Sequence, residues 1–215
     1  SQPGWYLPRT PEIRQIVPQN TIVSDLILTV EPRRQFAAQE LRAGRIPLWN
    51  PYNFAGSPTA DLYSPFDLIY YAFPTPFLLA WLQLLKSLVA ALGAYVFFRR
   101  VLSANFWPAA IGGVCYPHTG FFILWQGYTL SASIAFLPWI LLATDRTVRN
   151  PRGWGGPALA LLVGTVFSAE VGTTGQMLVT AGIYALWCVF DEHGWPTPVR
   201  SATRSLAVAA AAKDS

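Results

Sequence analysis

The chain has 215 residues, of which 53% are hydrophobic and only 12% are charged, and its formal net charge is +4. A water-soluble domain carries about twice that charged share, so the composition excludes an ordinary soluble domain and favours a membrane protein. The basic residues fall between apolar runs and form no patch interleaved with aromatic residues, which excludes nucleic acid as a partner. Cys115 and Cys188 both lie inside apolar runs, so neither a disulfide framework nor a metal-ligand spacing is present.

Residues 1–66 form the first predicted unit, which is rich in proline and arginine and contains no long apolar run. Within it, residues 29–42 have a helical pattern that stops before Gly44, a plausible C-cap. The chain begins with Ser1, has no signal peptide, and ends in an interrupted alanine-rich run. We therefore expect a piece of a longer protein.

A dense aromatic and proline-rich block follows at residues 46–58. Its prolines and glycines forbid a regular helix or a central strand. Disordered linkers seldom carry aromatic residues so closely spaced. We therefore expect an ordered loop in which Trp49, Tyr52 and Phe54 are buried against the rest of the protein.

Residues 67–215 form the second predicted unit, a transmembrane helical domain truncated at its C-terminus. It contains five apolar runs, at residues 77–98, 106–125, 129–144, 157–169 and 175–190. The first is long enough to cross about 30 Å of hydrocarbon, whereas the last three are short and are expected to include broken or re-entrant segments. The predicted fold is all-α: a polytopic transmembrane helical bundle of about five spans with an external N-terminal loop domain.

The arginines predict the orientation of this bundle. They follow the first, third and fifth runs, at Arg99, Arg100, Arg146, Arg149, Arg152, Arg200 and Arg204. The connections after the second and fourth runs contain none. By the positive-inside rule the arginine-bearing side is cytoplasmic and residues 1–66 are external. An external unit requires an upstream segment to carry it across, so the missing part is expected to include a first helix that spans the cytoplasmic membrane.

Three polar residues within or beside the apolar runs, Lys86, His118 and Glu170, call for a role, because charges inside a bilayer cost about 2.5–3.5 kcal/mol each on insertion scales. Lys86 has two interpretations, a cross-bundle carboxylate partner or an internal polar partner. His118 lies in a Cys-Tyr-Pro-His-Thr-Gly segment that weakens its helix, and it is either a substrate ligand or bonded to a nearby carbonyl. Glu170 and Gln176 are predicted to face the same side as the N-terminal unit.

The N-terminal unit and its boundary carry four acids: Asp25, Glu31, Asp61 and Asp67. Asp25 stands in an apolar stretch, where an acid is either the N-cap of the following helix or a catalytic carboxylate at the membrane surface. The residue types alone do not distinguish these two roles.

Several segments resemble the YfhO-like bacterial membrane proteins, which are grouped with the GT-C class of glycosyltransferases. The most specific is Gly-Arg-Ile-Pro-Leu-Trp-Asn-Pro-Tyr at residues 44–52. The others are at residues 24–26, 32–36, 54–58, 63–65, 93–100, 116–120 and 137–139, together with Gln176.

The resemblance implies transfer of a sugar from a polyprenyl-phosphate carrier to an envelope acceptor outside the cell. Asp25 stands where the family's catalytic acid is expected. The candidate substrate-binding residues are Arg33, Arg34, Asp61, His118, Glu170 and Gln176. The implied partners are the lipid bilayer, a lipid-linked sugar donor, and a glycan, lipid or protein acceptor. No organic cofactor is expected, and a divalent metal is left open.

The sequence departs from the family pattern at two places. Thr29 stands four residues after the acid, where Gln is frequent, and residues 171–176 lack the His of a Gly-His-Pro-Gln motif. Two further functions therefore stay open: a transporter or flippase-like protein for a lipid-linked intermediate, and a non-catalytic envelope assembly protein.

Overall fold

The computed structural model describes residues 25–52, 55–59, 63–73 and 75–193. Of these residues 77% are helical and 2% lie in strands, which confirms the all-α class. After a π-helical segment at Leu26–Val30, the α-helices are α1 (Glu31–Arg42), α2 (Pro65–Ala72), α3 (Pro76–Arg100), α4 (Phe106–Cys115), α5 (Gly120–Leu124), α6 (Thr129–Ile134), α7 (Leu137–Arg149), α8 (Gly155–Ala169) and α9 (Val171–His193).

The aromatic and proline-rich block forms a short antiparallel hairpin between β1 (Trp49–Asn50) and β2 (Ser57–Pro58). The expected burial of its aromatic side chains is wrong where the structure describes them: Trp49 is 57% exposed and Tyr52 is 86% exposed. Phe54 lies outside the described residues. Trp49 lies directly against Gly56, which has a φ of 118°, and the ring of Tyr52 meets Phe36 edge-on. These aromatic residues thus find local partners within the N-terminal unit.

Local sequence signals set the starts of α2 and α3. Each helix has a proline at its first position, where the missing N–H is not needed. The Ser64 hydroxyl accepts the backbone N–H of Asp67 at 3.1 Å, and the Thr75 hydroxyl accepts that of Leu78 at 3.3 Å. Helix α3 then runs for 25 residues, about 37 Å at 1.5 Å per residue, and ends in Arg99 and Arg100.

Two of the predicted spans are broken. The run at residues 106–125 folds as α4, a 3₁₀ turn at Tyr116–His118, and α5, because Pro117 cannot donate to the helical ladder and Thr119 is extended. The Tyr116 hydroxyl donates to the Ile134 carbonyl at 2.9 Å and ties this break to α6. The run at residues 129–144 likewise divides into α6 and α7.

The helices pack so that α3 contacts α4 and α7, and α7 contacts α8 and α9. The C-terminal ends of α3, α7 and α9 meet: the Phe97 and Tyr184 rings are 5.9 Å apart, and Arg149 Nη2 lies 3.0 Å from Asp191 Oδ2. We call this the arginine end, because it carries Arg99, Arg100, Arg146, Arg149 and Arg152. The N-terminal unit packs toward the opposite end, where Tyr63 N–H donates to the Ser168 carbonyl at 3.3 Å.

Two helical segments of the described chain, Phe77–Arg100 and Val171–Glu192, are long and apolar enough to cross a bilayer, and Gly155–Ala169 is apolar but shorter. Only 28% of the most apolar window of each long segment is buried within the structure. The remaining predicted spans are divided by the breaks described above. Five unbroken spanning helices are therefore not found among the described residues.

Close packing of α3 on α7 predicts the effect of an added methyl group. A Cβ at Gly93 would lie 2.5 Å from Trp139 Nε1, whose N–H donates to the Val89 carbonyl at 3.0 Å. We expect Gly93→Ala to lower the free energy of unfolding by about 1–3 kcal/mol, the usual cost of overpacking. Gly164→Ala, which meets no atom within 4 Å, is the control and is expected to be neutral or slightly stabilising. Equal values by denaturant titration in detergent would contradict the described packing.

Candidate functional site

A polar groove of about 360 Å³ lies between the π-helical segment, α1 and the hairpin. Its lining combines one cation, three amides and two aromatic rings, at Arg33, Gln35, Gln39, Asn50, Phe36 and Tyr52, with Leu28, Thr29 and Pro32 completing the wall. Amides and a guanidinium supply several directional hydrogen bonds, and an aromatic face supplies flat apolar contact. Such a lining suits a hydroxyl-rich ligand with one negative charge.

Asp25 stands immediately before the groove-lining π-helical segment and is exposed. Its side chain makes no capping hydrogen bond, so the capping alternative is wrong for this structure. The next residue, Leu26, lies against Gly127 in the connection between α5 and α6. Burial, and secondarily the charge of Asp25, raise the pKa of the Tyr128 hydroxyl in the same connection. Asp25 is therefore exposed to solvent, next to the residue that contacts this connection.

Arg34 points away from the groove, because neighbouring residues on an α-helix are turned by about 100°. Its guanidinium is buried, with Nε 3.2 Å from Oδ1 of Asp67, which is also buried. The Ser64 hydroxyl donates to the other oxygen of Asp67. Arg34 thus anchors α1 to α2. The structure separates it from the groove and leaves Arg33 as the arginine of the pair that lines it.

Lys86 is the largest fully buried side chain of the described residues, at 2% exposure. Its ammonium donates to the carbonyls of Gln126 at 3.2 Å and Tyr128 at 3.4 Å and to the hydroxyl of Ser131 at 3.2 Å. The internal polar partner is therefore the correct interpretation, and among the described residues no carboxylate pairs with the ammonium. Lys86 holds the connection at residues 125–128 against α3 and so supports the surface on which Leu26 rests.

Further side-chain hydrogen bonds stabilise the two ends of α1. Glu31 accepts hydrogen bonds from the Tyr70 hydroxyl at 2.6 Å and from the Gln35 amide at 3.0 Å. Burial, reinforced by this bond to Glu31, raises the pKa of Tyr70. Beyond the end of α1, Arg45 donates twice to Glu40, at 2.6 and 2.7 Å, and this bond lowers the pKa of Glu40.

Of the remaining predicted site residues, none that the structure describes lines the groove. His118 Nδ1 lies 2.7 Å from the Val114 carbonyl, which is the structural alternative. Glu170 is the N-cap of α9: Oε1 accepts the Gly172 N–H at 2.9 Å and Oε2 accepts that of Thr173. Gln176 is exposed on α9, and Asp61 lies outside the described residues.

Sequence reasoning missed most of the groove. Besides Arg33, its α1 members are Pro32, Gln35, Phe36 and Gln39, which follow the i, i+3, i+4, i+7 spacing of one helix face. The two glutamines on that face were the available signal. Asn50 and Tyr52 come from the hairpin and have no comparable signal. The described residues contain no group of three or more His, Cys, Asp or Glu side chains placed to hold a metal ion.

Comparisons with known proteins give no assignment: no family model matches the chain, and no curated protein or solved structure matches it significantly. The resemblance to the YfhO-like proteins therefore stays a prediction.

The buried Arg34–Asp67 pair allows us to predict how substitutions at these residues change the free energy of unfolding. Arg34→Met would leave the Asp67 charge buried and uncompensated, so we expect unfolding to become easier by about 3–5 kcal/mol. Adding Asp67→Asn removes that charge and should restore much of the loss. Arg42→Met, an exposed site on the same helix, should change stability by less than about 0.5 kcal/mol. Denaturant titration in detergent measures all three; an Arg34→Met value equal to that of Arg42→Met would rule out the anchoring role.

Proposed function

We propose that the protein is a membrane glycosyltransferase of the GT-C kind, which transfers a sugar from a polyprenyl-phosphate carrier to an envelope acceptor. The observation that carries the proposal is the groove lined by Arg33, with the exposed carboxylate of Asp25 less than one helical turn before its wall at Leu28 and Thr29. An exposed acid without a capping bond, together with a groove that holds a guanidinium and three amides, supplies the components that sugar transfer from a phosphate requires.

Each component has a role in the proposed reaction. The oxygen of the acceptor hydroxyl attacks the anomeric carbon of the donor sugar, and the bond from that carbon to the phosphate oxygen breaks. The Asp25 carboxylate takes the hydroxyl proton as a general base. Polyprenyl phosphate leaves with the bonding electron pair, and Arg33 stabilises its negative charge. The groove amides bind the sugar hydroxyls, and Tyr52 offers an exposed ring for its apolar face.

The membrane placement is part of the same proposal. The long apolar helices expose most of their surface, including Trp81, Leu84 and Leu88 on α3 and Ile183, Leu186 and Trp187 on α9. Apolar surface of this extent requires a lipid or protein partner. The arginine end and the groove lie toward opposite ends of the helices, which supports a cytoplasmic arginine end and an external groove.

A transporter or flippase is the second candidate. It is favoured by the buried charges of Arg34, Asp67 and Lys86, because charged residues among apolar helices mark pathways in many transporters. All three have internal partners, which supports a structural role for them, and we prefer the transferase.

Replacing Asp25 tests the chemistry. Asp25→Asn keeps the size of the side chain but cannot accept a proton at neutral pH, so we expect transfer to fall by about 10²–10⁴. The assay follows radiolabelled sugar from a panel of polyprenyl-phosphate hexoses into envelope extracts, using membranes that contain the full-length protein. Thermal stability should not change, because Asp25 makes no capping bond.

Glu192→Gln, an exposed acid near the C-terminal end of α9, is the matched control and should retain full transfer. Near-normal transfer by Asp25→Asn would exclude the catalytic role. If uptake of the lipid-linked sugar across the membrane depended on Arg34 while transfer was absent in the wild type, the transporter would be the better assignment.

Cysteine labelling tests the orientation. In a Cys115→Ala background, we expect Ala43→Cys, exposed after α1, to react with a membrane-impermeant maleimide in intact spheroplasts. Ser103→Cys, exposed beyond the end of α3, should react only after permeabilisation, because the arginine end faces the cytoplasm. Labelling of Ser103→Cys alone in intact spheroplasts would reverse the orientation.

A further inference from the structure

A second cavity, of about 520 Å³, opens at the arginine end. It shares no lining residue with the groove. It is lined by Tyr95, Val96, Arg99, Arg100 and Ser103. Ser103 has a φ of 53°, which turns the chain back after α3. Ser103 therefore lines the same cavity as the two arginines.

The arginines of this cavity differ from Arg149 at the same end. Arg149 is neutralised by Asp145 at 2.8 Å and by Asp191 at 3.0 Å. Among the described residues no carboxylate pairs with Arg99 or Arg100, and Arg99 donates instead to the Ala104 carbonyl at 2.7 Å. The cavity therefore carries two positive charges that no side chain of the described part of the chain compensates.

An apolar row on α3 leads directly to this cavity. Leu84, Leu88 and Leu92 are 59%, 54% and 47% exposed. Each four-residue step turns by about 40° around an α-helix, so these three leucines spread over about 80° of the helix surface. Arg99, seven residues after Leu92, lies within about 20° of that leucine around the helix axis. The exposed leucines therefore lead to a guanidinium group that lines the cavity.

We propose that this cavity binds the phosphate of an anionic phospholipid, whose acyl chain lies along the Leu84–Leu88–Leu92 row. Guanidinium groups bind phosphate oxygens through charge-assisted, often bidentate, hydrogen bonds, and the Tyr95 and Ser103 hydroxyls can donate to the same oxygens. Basic pockets on the cytoplasmic side of membrane proteins are suited to anionic headgroups. The inference rests on the membrane placement in the proposed function, and it does not depend on the transfer chemistry at Asp25.

Lipid titration followed by native mass spectrometry tests the site on the purified full chain in neutral detergent. With acyl chains matched, we expect phosphatidylglycerol to bind about tenfold or more tightly than phosphatidylcholine, since both arginines face the anionic headgroup. The Arg99→Gln/Arg100→Gln variant should lose that preference, and Arg99→Lys/Arg100→Lys should keep part of it. Arg152→Gln removes an exposed arginine from the same end but not from the cavity lining, and it should bind like the wild type.

Other outcomes overturn the proposal. These are equal binding of the two lipids by the wild type, an unchanged preference in the double Gln variant, or full competition by inorganic phosphate at equal concentration, which would indicate a free-phosphate site. Arg100→Gln alone, at an exposed position, serves if the double variant does not fold, and an unchanged preference there also counts against the site. The assay requires no transfer, so its failure is distinguishable from failure of the transferase proposal, which the Asp25→Asn assay decides.

Discussion

The N-terminal unit depends on one buried ion pair, Arg34 of α1 with Asp67 of α2. Removing either charge from water costs several kcal/mol, and attraction offsets that cost only when the geometry is close and the remaining polar atoms are bonded. Ser64 supplies the additional bond to Asp67. The pair therefore anchors α1 to α2, and with Arg34 turned inward, Arg33 lines the groove.

The breaks in the helices follow from the same requirement for satisfied polar groups. Where Pro117 interrupts the backbone ladder, the Tyr116 hydroxyl bonds to the Ile134 carbonyl. Between α8 and α9 a single extended residue, Glu170, makes the turn, and its carboxylate accepts the first free N–H groups of α9. In the connection after α5, Lys86 satisfies the carbonyls of Gln126 and Tyr128. Irregular backbone among apolar helices is tolerated where such partners cover it.

The groove and the cavity that contains Arg99 and Arg100 lie toward opposite ends of the helices. The groove and Asp25 lie on the side of the N-terminal unit, whereas Arg99 and Arg100 lie at the arginine end, beyond an exposed apolar face of α3. One apolar layer between two polar ends is the arrangement that the proposed membrane placement requires.

The sequence by itself determined the helical class, the apolar runs, helix α1 and the weak point of the second run at Pro117, because periodicity, proline and capping residues act over a few neighbouring positions. It did not distinguish Arg33 from Arg34, and it misplaced Trp49 and Tyr52. Tertiary structure alone decided these points, and also the partners of Lys86, 40 to 45 residues away along the chain. The physical reason is that a side chain's partner and burial depend on which distant helix or hairpin packs against it, and local pattern carries no information about that choice.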